Sequence, residues 1–179
     1  MSTQTPSARR GRQTTLDMVR SLAVVAAVVA ATVLLVPRPD RAITQPVPVE
    51  KVAAQSAAQA DFDLVVPDLP DGWEPNSVRL GRAGPDGALT WHVGYVTPSG
   101  GYAGLEAARD VTPGWVTEQT SEGRPDDEAD TIDVAGETWQ LLRSTEPRRA
   151  SLVIERSGVT TVVTGSALIS ELTLLAEAT

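Results

Sequence analysis

The sequence predicts an α+β protein: an N-terminal transmembrane helix followed by a small extracytoplasmic domain in which an antiparallel sheet is covered by two helices. Three observations carry this expectation. The run from Ser21 to Val36 contains no charged residue. Beyond residue 60, short alternating segments are separated by brief Gly- and Pro-containing connections, which suit antiparallel hairpins. Two further segments place apolar residues at helical spacing.

Residues 1–17 are polar and lack apolar periodicity, as expected of a disordered basic cytoplasmic tail. Residues 18–36 then give roughly 28 Å of helix at 1.5 Å per residue, close to the hydrocarbon thickness of a bilayer. Arg9, Arg10, Arg12 and Arg20 precede the apolar run, so its N-terminal side should stay cytoplasmic and the C-terminal domain lie outside the cell membrane. A cleaved signal peptide has the same tripartite form, with Ala58-Gln59-Ala60 resembling a cleavage site; a retained anchor fits better, because the apolar run is long and Val36-Pro37-Arg38-Pro39 follows it. Ala23, Ala27 and Ala31 repeat at the small-xxx-small spacing that permits a helix-mediated dimer, although alanine is common throughout the run. Residues 37–60 form a Pro/Ala-rich stalk stiffened by Pro37, Pro39, Pro46 and Pro48, with a short helix supported from Glu50 to Ala60.

The domain itself, residues 61–179, is long enough for one core, and without cysteine that core has no disulfide to support it. A lipid attached at a cysteine is excluded as well. Strands are expected at Phe62–Val66, Trp73–Leu80, Ala88–Thr97, Thr131–Val134, Glu137–Ser144, Ala150–Arg156 and Thr160–Thr164. In the third of these, alternation puts Leu89, Trp91, Val93 and Tyr95 on the core face, opposite Thr90, His92, Gly94 and Val96. Helices are expected at Tyr102–Val111, stopped by Pro113-Gly114, and at Ser166–Ala178, with Ser166 as cap and a stripe of Leu168, Ile169, Leu172, Leu175 and Ala176. The acidic stretch Glu118–Asp130 reads as a loop. Gly72-Trp73, Thr90-Trp91, Gly114-Trp115 and Thr138-Trp139 hint at a duplication, but the tryptophan spacings of 18 and 24 residues differ.

Charge narrows the function. Residues 1–60 carry seven basic and three acidic side chains, a net +4, whereas residues 61–179 carry eight basic and twenty acidic, a net −12. Such a domain repels phosphate backbones and anionic headgroups, so nucleic acid is not an expected partner. The run Glu122, Asp126, Asp127, Glu128, Asp130 lacks the spacing and glycine of a calcium loop. Of fifteen basic residues only Lys51 is lysine, a bias consistent with a high-GC bacterium.

No residue pattern demands catalysis, a metal or a cofactor. The chain has no Gly-x-Ser-x-Gly elbow, no cysteine nucleophile and no phosphate loop, since Gly100-Gly-Tyr-Ala-Gly104 lacks a lysine. His92 is the only histidine; a hydrolase would have to use it as base, and Ser99, Ser144 and Ser151 offer no evident nucleophile. Trp73, Trp91, Trp115 and Trp139 could line a groove for an apolar, glycan or lipid ligand, or simply fill the core. The first expectation is a non-enzymatic cell-envelope module, held in the lipid bilayer through residues 18–36, that binds or scaffolds an envelope protein partner. The second is a ligand-binding domain with a tryptophan floor.

The Arg-flanked anchor, Leu69-Pro-Asp-Gly-Trp73 with Asn76-Ser77, Trp91-His-Val-Gly-Tyr95, Tyr102-Ala-Gly-Leu105, Gly136-Glu-Thr-Trp139 and Gly158-Val-Thr-Thr-Val-Val-Thr-Gly-Ser-Ala167 together give a chain that resembles a family of actinobacterial single-pass membrane proteins, domain of unknown function 4245. These motifs are turns and core aromatics. The resemblance implies an anchored extracytoplasmic domain and no particular activity.

Overall fold

The computed structural model describes residues 18–26, 29, 47–121, 130–145 and 148–179. It divides into two units, residues 1–43 and 44–179. In the first, residues 18–26 form a helix, α1, on which Met18, Val19, Leu22, Val24 and Val25 are all exposed. Among the described residues no helix is long and apolar enough to cross a membrane. Much of the expected span, residues 27–28 and 30–36, lies outside them, as do Ala27 and Ala31, the expected tail and residues 37–46 of the stalk.

The second unit is an α+β domain built on one seven-stranded antiparallel sheet. Its strands are β1 (Glu74–Ala83), β2 (Ala88–Val96), β3 (Tyr102–Arg109), β4 (Thr131–Val134), β5 (Glu137–Thr145), β6 (Arg148–Arg156) and β7 (Val159–Gly165). Their order is β1-β2-β3-β7-β6-β5-β4, two meanders joined where β3 pairs with β7. Ala135-Gly136 and Ser157-Gly158, all at positive φ, make the two-residue turns anticipated for β4–β5 and β6–β7. Gly84 in the β1–β2 turn has φ +77, and a Cβ there would stand 2.6 Å from the Trp115 ring.

Two expected elements differ. Tyr102–Arg109 is a strand, not a helix, because it is the inner strand between β2 and β7, where alternation rather than helical spacing governs which side chains are covered. Ala103, Leu105 and Ala107 then point to one face and Gly104, Glu106 and Ala108 to the other, all buried. Phe62–Val66 is not a strand. It lies against the core, with Phe62 buried and Leu64, Val65 and Val66 packed on it, and the Val65 carbonyl accepts from the Trp91 indole at 2.8 Å.

Helices cover both faces of the sheet. Helix α2 (Val49–Ser56), expected in the stalk, puts Val49 and Ala53 into the core with Phe62. On the same face α4 (Ile169–Glu177) buries Leu172, Leu175 and Ala176 against Trp91, Val93, Leu105, Leu152, Val163 and Trp139. Leu168, expected in that stripe, is exposed. The opposite face carries α3 (Pro113–Gln119), where Trp115 meets Ala108 and Val162. Pro113, expected to end a helix, starts this one; it occupies the first turn, and the Thr112 side chain caps it by accepting from Trp115 N–H. Because the helices that follow β3 and β7 lie on opposite faces, the hinted duplication is not expressed as repeated units. Residues 122–129 of the expected acidic loop lie outside the described residues.

Glu171 caps α4 in place of Ser166. Its carboxylate accepts from Thr97 Oγ1 at 3.0 Å, Ser99 N at 3.0 Å, Ser99 Oγ at 2.7 Å and Leu168 N at 3.2 Å, tying the β2–β3 turn to the helix. Burial alone would raise its pKa, but these bonds outweigh it and hold the carboxyl below its ordinary 4.5. A carboxyl so lowered stabilises the fold above its unfolded-state value, and that contribution is lost as pH falls through the lower folded value. Glu171→Gln should therefore cost about 1–3 kcal/mol near neutrality and flatten the acid limb of stability below about pH 4.5, as read by urea unfolding across pH.

Candidate functional site

The four tryptophans do not form a groove. Trp91, Trp115 and Trp139 are fully buried, and Trp73 is half-buried, edge-on to Tyr95 at 5.9 Å between ring centroids. With few other large side chains available, they fill the interior on both sides of the sheet. Trp115 Nε1 donates to Thr90 Oγ1 at 3.0 Å. Trp139 Nε1 has no partner among the described residues, while the Arg156 guanidinium lies 5.1 Å from its ring centroid. A cleft of about 1000 Å³ beside Arg143, Arg149 and the start of α4, and another of about 490 Å³ beside α3, are lined by none of the four. Arg143 in the larger cleft is already ion-paired with Asp130.

Polar chemistry gathers instead on the α3 face of the sheet. His92 on β2 stands opposite Glu106 on β3, and His92 Nδ1 lies 2.5 Å from Glu106 Oε1. On its other side His92 Nε2 lies 3.0 Å from Ser77 Oγ on β1. His92 and Glu106 are buried at 4 % and 6 % exposure, whereas Ser77 is only half-buried. The result is a Ser–His–Glu line across three neighbouring strands.

Local backbone features place these groups. The β1–β2 register shifts between Pro75 and Ser77, a bulge at Asn76 that redirects the side chains beyond it. Ser77 Oγ is 3.0 Å from Asn76 Oδ1 as well. In the next row across the sheet, Ser77 pairs with Gly94, Gly94 with Gly104, Gly104 with Thr164, and Thr164 with Ser151. The two glycines leave room for the Tyr102 ring. A Cβ on Gly104 would meet the Tyr102 hydroxyl at 2.8 Å, and one on Gly94 would press first on Ser77 Oγ, then on Asn76 Oδ1 at 2.8 Å and the same hydroxyl at 2.9 Å. The phenol thus reaches the serine. Burial, and the charge of Glu106, hold its pKa above the ordinary tyrosine range despite Arg149, Arg79 and Ser77 nearby, so it remains a hydroxyl donor at neutral pH.

Sequence reasoning singled out His92 but missed Ser77, Tyr102 and Glu106. Reading Tyr102–Val111 as a helix turned Glu106 to solvent, and only the β2–β3 register brings it to His92. The available signal was a pair of glycines, Gly94 and Gly104, inside strands where glycine is otherwise disfavoured. Among the described residues no three His, Asp or Glu side chains gather as metal ligands.

Removing one partner of a buried hydrogen-bonded pair leaves the other's polar group unsatisfied, whereas replacing both by apolar groups can be nearly neutral. His92→Leu alone should lower stability by about 3 kcal/mol, and adding Glu106→Leu should recover most of that, as a double-mutant cycle by urea denaturation would show. No curated protein matches the chain. A family model, however, covers residues 10–179, and on that match the chain belongs to the family described as Protein of unknown function (DUF4245).

Proposed function

We propose that this protein is a membrane-tethered extracytoplasmic domain that works in the cell envelope by docking a protein partner. One observation carries the reading: an uncharged run, Ser21–Val36, follows four arginines and precedes an acidic domain with its own core. The bare apolar side chains of α1 support it, since a helix of that kind wants a surrounding other than water. The arginine-rich, lysine-poor composition agrees with an actinobacterial source, and the net charge of residues 61–179 turns the domain away from anionic headgroups and nucleic acid.

The tryptophan-floored ligand site has no such support, because three of its four residues have no exposed surface. Docking a protein needs no cavity. It needs an accessible outer surface held at a defined height above the bilayer, which the proline-bearing stalk would supply.

A chain without cysteine lets single-cysteine variants report directly. Glu177→Cys should react with a membrane-impermeant maleimide in intact cells, Ser7→Cys only after permeabilisation, and a crosslinker placed at the first position should recover the same protein species repeatedly. Reversed labelling, or nothing beyond background in the crosslinked fraction, would defeat the proposal.

A further inference from the structure

Ser77, His92 and Glu106 are more than a satisfied polar cluster. Ser77 has one hydroxyl proton and two acceptors within 3.0 Å, Asn76 Oδ1 and His92 Nε2. With Glu106 accepting from Nδ1–H at 2.5 Å, a neutral His92 turns the lone pair of Nε2 toward Ser77, and rotation of the hydroxyl away from Asn76 Oδ1, to which it donates, directs its proton to that base. The carboxylate orients the ring and would stabilise the imidazolium once the proton moves. His92 and Glu106 are buried while Ser77, at the end of the line, is half-buried. The Tyr102 hydroxyl beside Ser77 supplies a donor of the kind that stabilises an oxyanion.

We propose that Ser77, His92 and Glu106 form an acyl-transfer site that cleaves carboxylic esters presented at the open edge of β1. Ser77 Oγ attacks the carbonyl carbon, its proton passes to His92 Nε2, and the carbonyl π pair moves onto the oxygen, which accepts from Tyr102 O–H. Collapse of that intermediate breaks the bond to the leaving oxygen; the alcohol departs with the proton from His92. Water, deprotonated by His92, then attacks the acyl-serine, and the carboxylic acid leaves as the proton returns to Ser77. Ser77 and His92 are the catalytic residues, and Glu106 is a positioning residue acting through His92. This reaction goes beyond partner docking, which does not need it and can stand if it fails.

The full chain in detergent should be treated with an alkyl fluorophosphonate, the adduct mapped by mass spectrometry, and turnover of a short p-nitrophenyl ester followed in parallel. The expected result is a single adduct on Ser77, with turnover falling at least about 100-fold in Ser77→Ala and His92→Gln. Glu106→Gln should lower kcat with KM held, and Glu106→Asp should restore part of it. Tyr102→Phe should slow turnover while the adduct still forms. An unmodified Ser77 in the wild-type chain, an adduct on another serine, or equal turnover in Ser77→Ala would each overturn the proposal, and the wild-type measurement depends on no variant folding.

Discussion

A carboxylate buried near the middle of a sheet is the constraint on which one whole face of this domain depends. Glu106 sits at 6 % exposure on an inner strand, and leaving it charged without a partner there would cost several kcal/mol. Its Oε1 meets His92 Nδ1, contributed by the neighbouring strand at the directly opposed position. That pairing fixes the register between β2 and β3, because a slip of β3 by one residue would send Glu106 to the apolar face and away from His92. It also fixes what can stand beside the pair. Gly94 and Gly104 must stay without side chains for Tyr102 to lie over the row, and the bulge at Asn76 brings Ser77 to the free nitrogen of the imidazole.

Both faces of the sheet are consequently covered, but by different means. One side is apolar in the ordinary way, with Trp91, Val93, Leu105, Leu152, Val163 and Leu172 in a continuous cluster under α2 and α4. The other has a small apolar cluster only where α3 seats Trp115 on Ala108 and Val162, and elsewhere it holds hydrogen-bonded polar groups, including Ser151 to Thr164 at 2.7 Å. Hydrophobic burial alone does not explain that second region. Polar groups removed from water need each other, so they specify geometry more tightly than they add stability. A triad-like line of Ser77, His92 and Glu106 is what such specification looks like when its end remains open to solvent.

Much of the sheet was legible in the chain because hairpins are written locally. Gly-Pro-Asp-Gly between β1 and β2, Ala135-Gly136 and Ser157-Gly158 announce their turns through residues that accept positive φ or favour tight turns. The alternation in β2 placed Trp91, Val93 and Tyr95 correctly in the core. What was not legible depended on neighbours distant in sequence. Tyr102–Arg109 holds three alanines, a leucine and a glutamate, all good helix formers, and only its position between two strands overrides that preference. Phe62–Val66 has the composition of a strand but lies against the apolar face, its Val65 carbonyl taken by an indole. The same misreading of β3 hid the candidate site, for once Glu106 is placed on a helix nothing in the sequence joins it to His92.

The burial of three tryptophans bears on function through what it removes. Each indole uses its large apolar area inside the domain, and two of the three donate to internal acceptors, Val65 O and Thr90 Oγ1. A site able to discriminate must then rest on polar groups, and the described residues concentrate these along Ser77, His92, Glu106 and Tyr102. That cluster is served by an edge strand, so an approaching molecule meets Ser77 from beyond β1 without passing through the core. His92 and Glu106 are buried there while Ser77 is only half-buried. The two glycines are thus the connection between fold and site: a side chain at Gly94 would press first on Ser77, and one at Gly104 on the Tyr102 phenol.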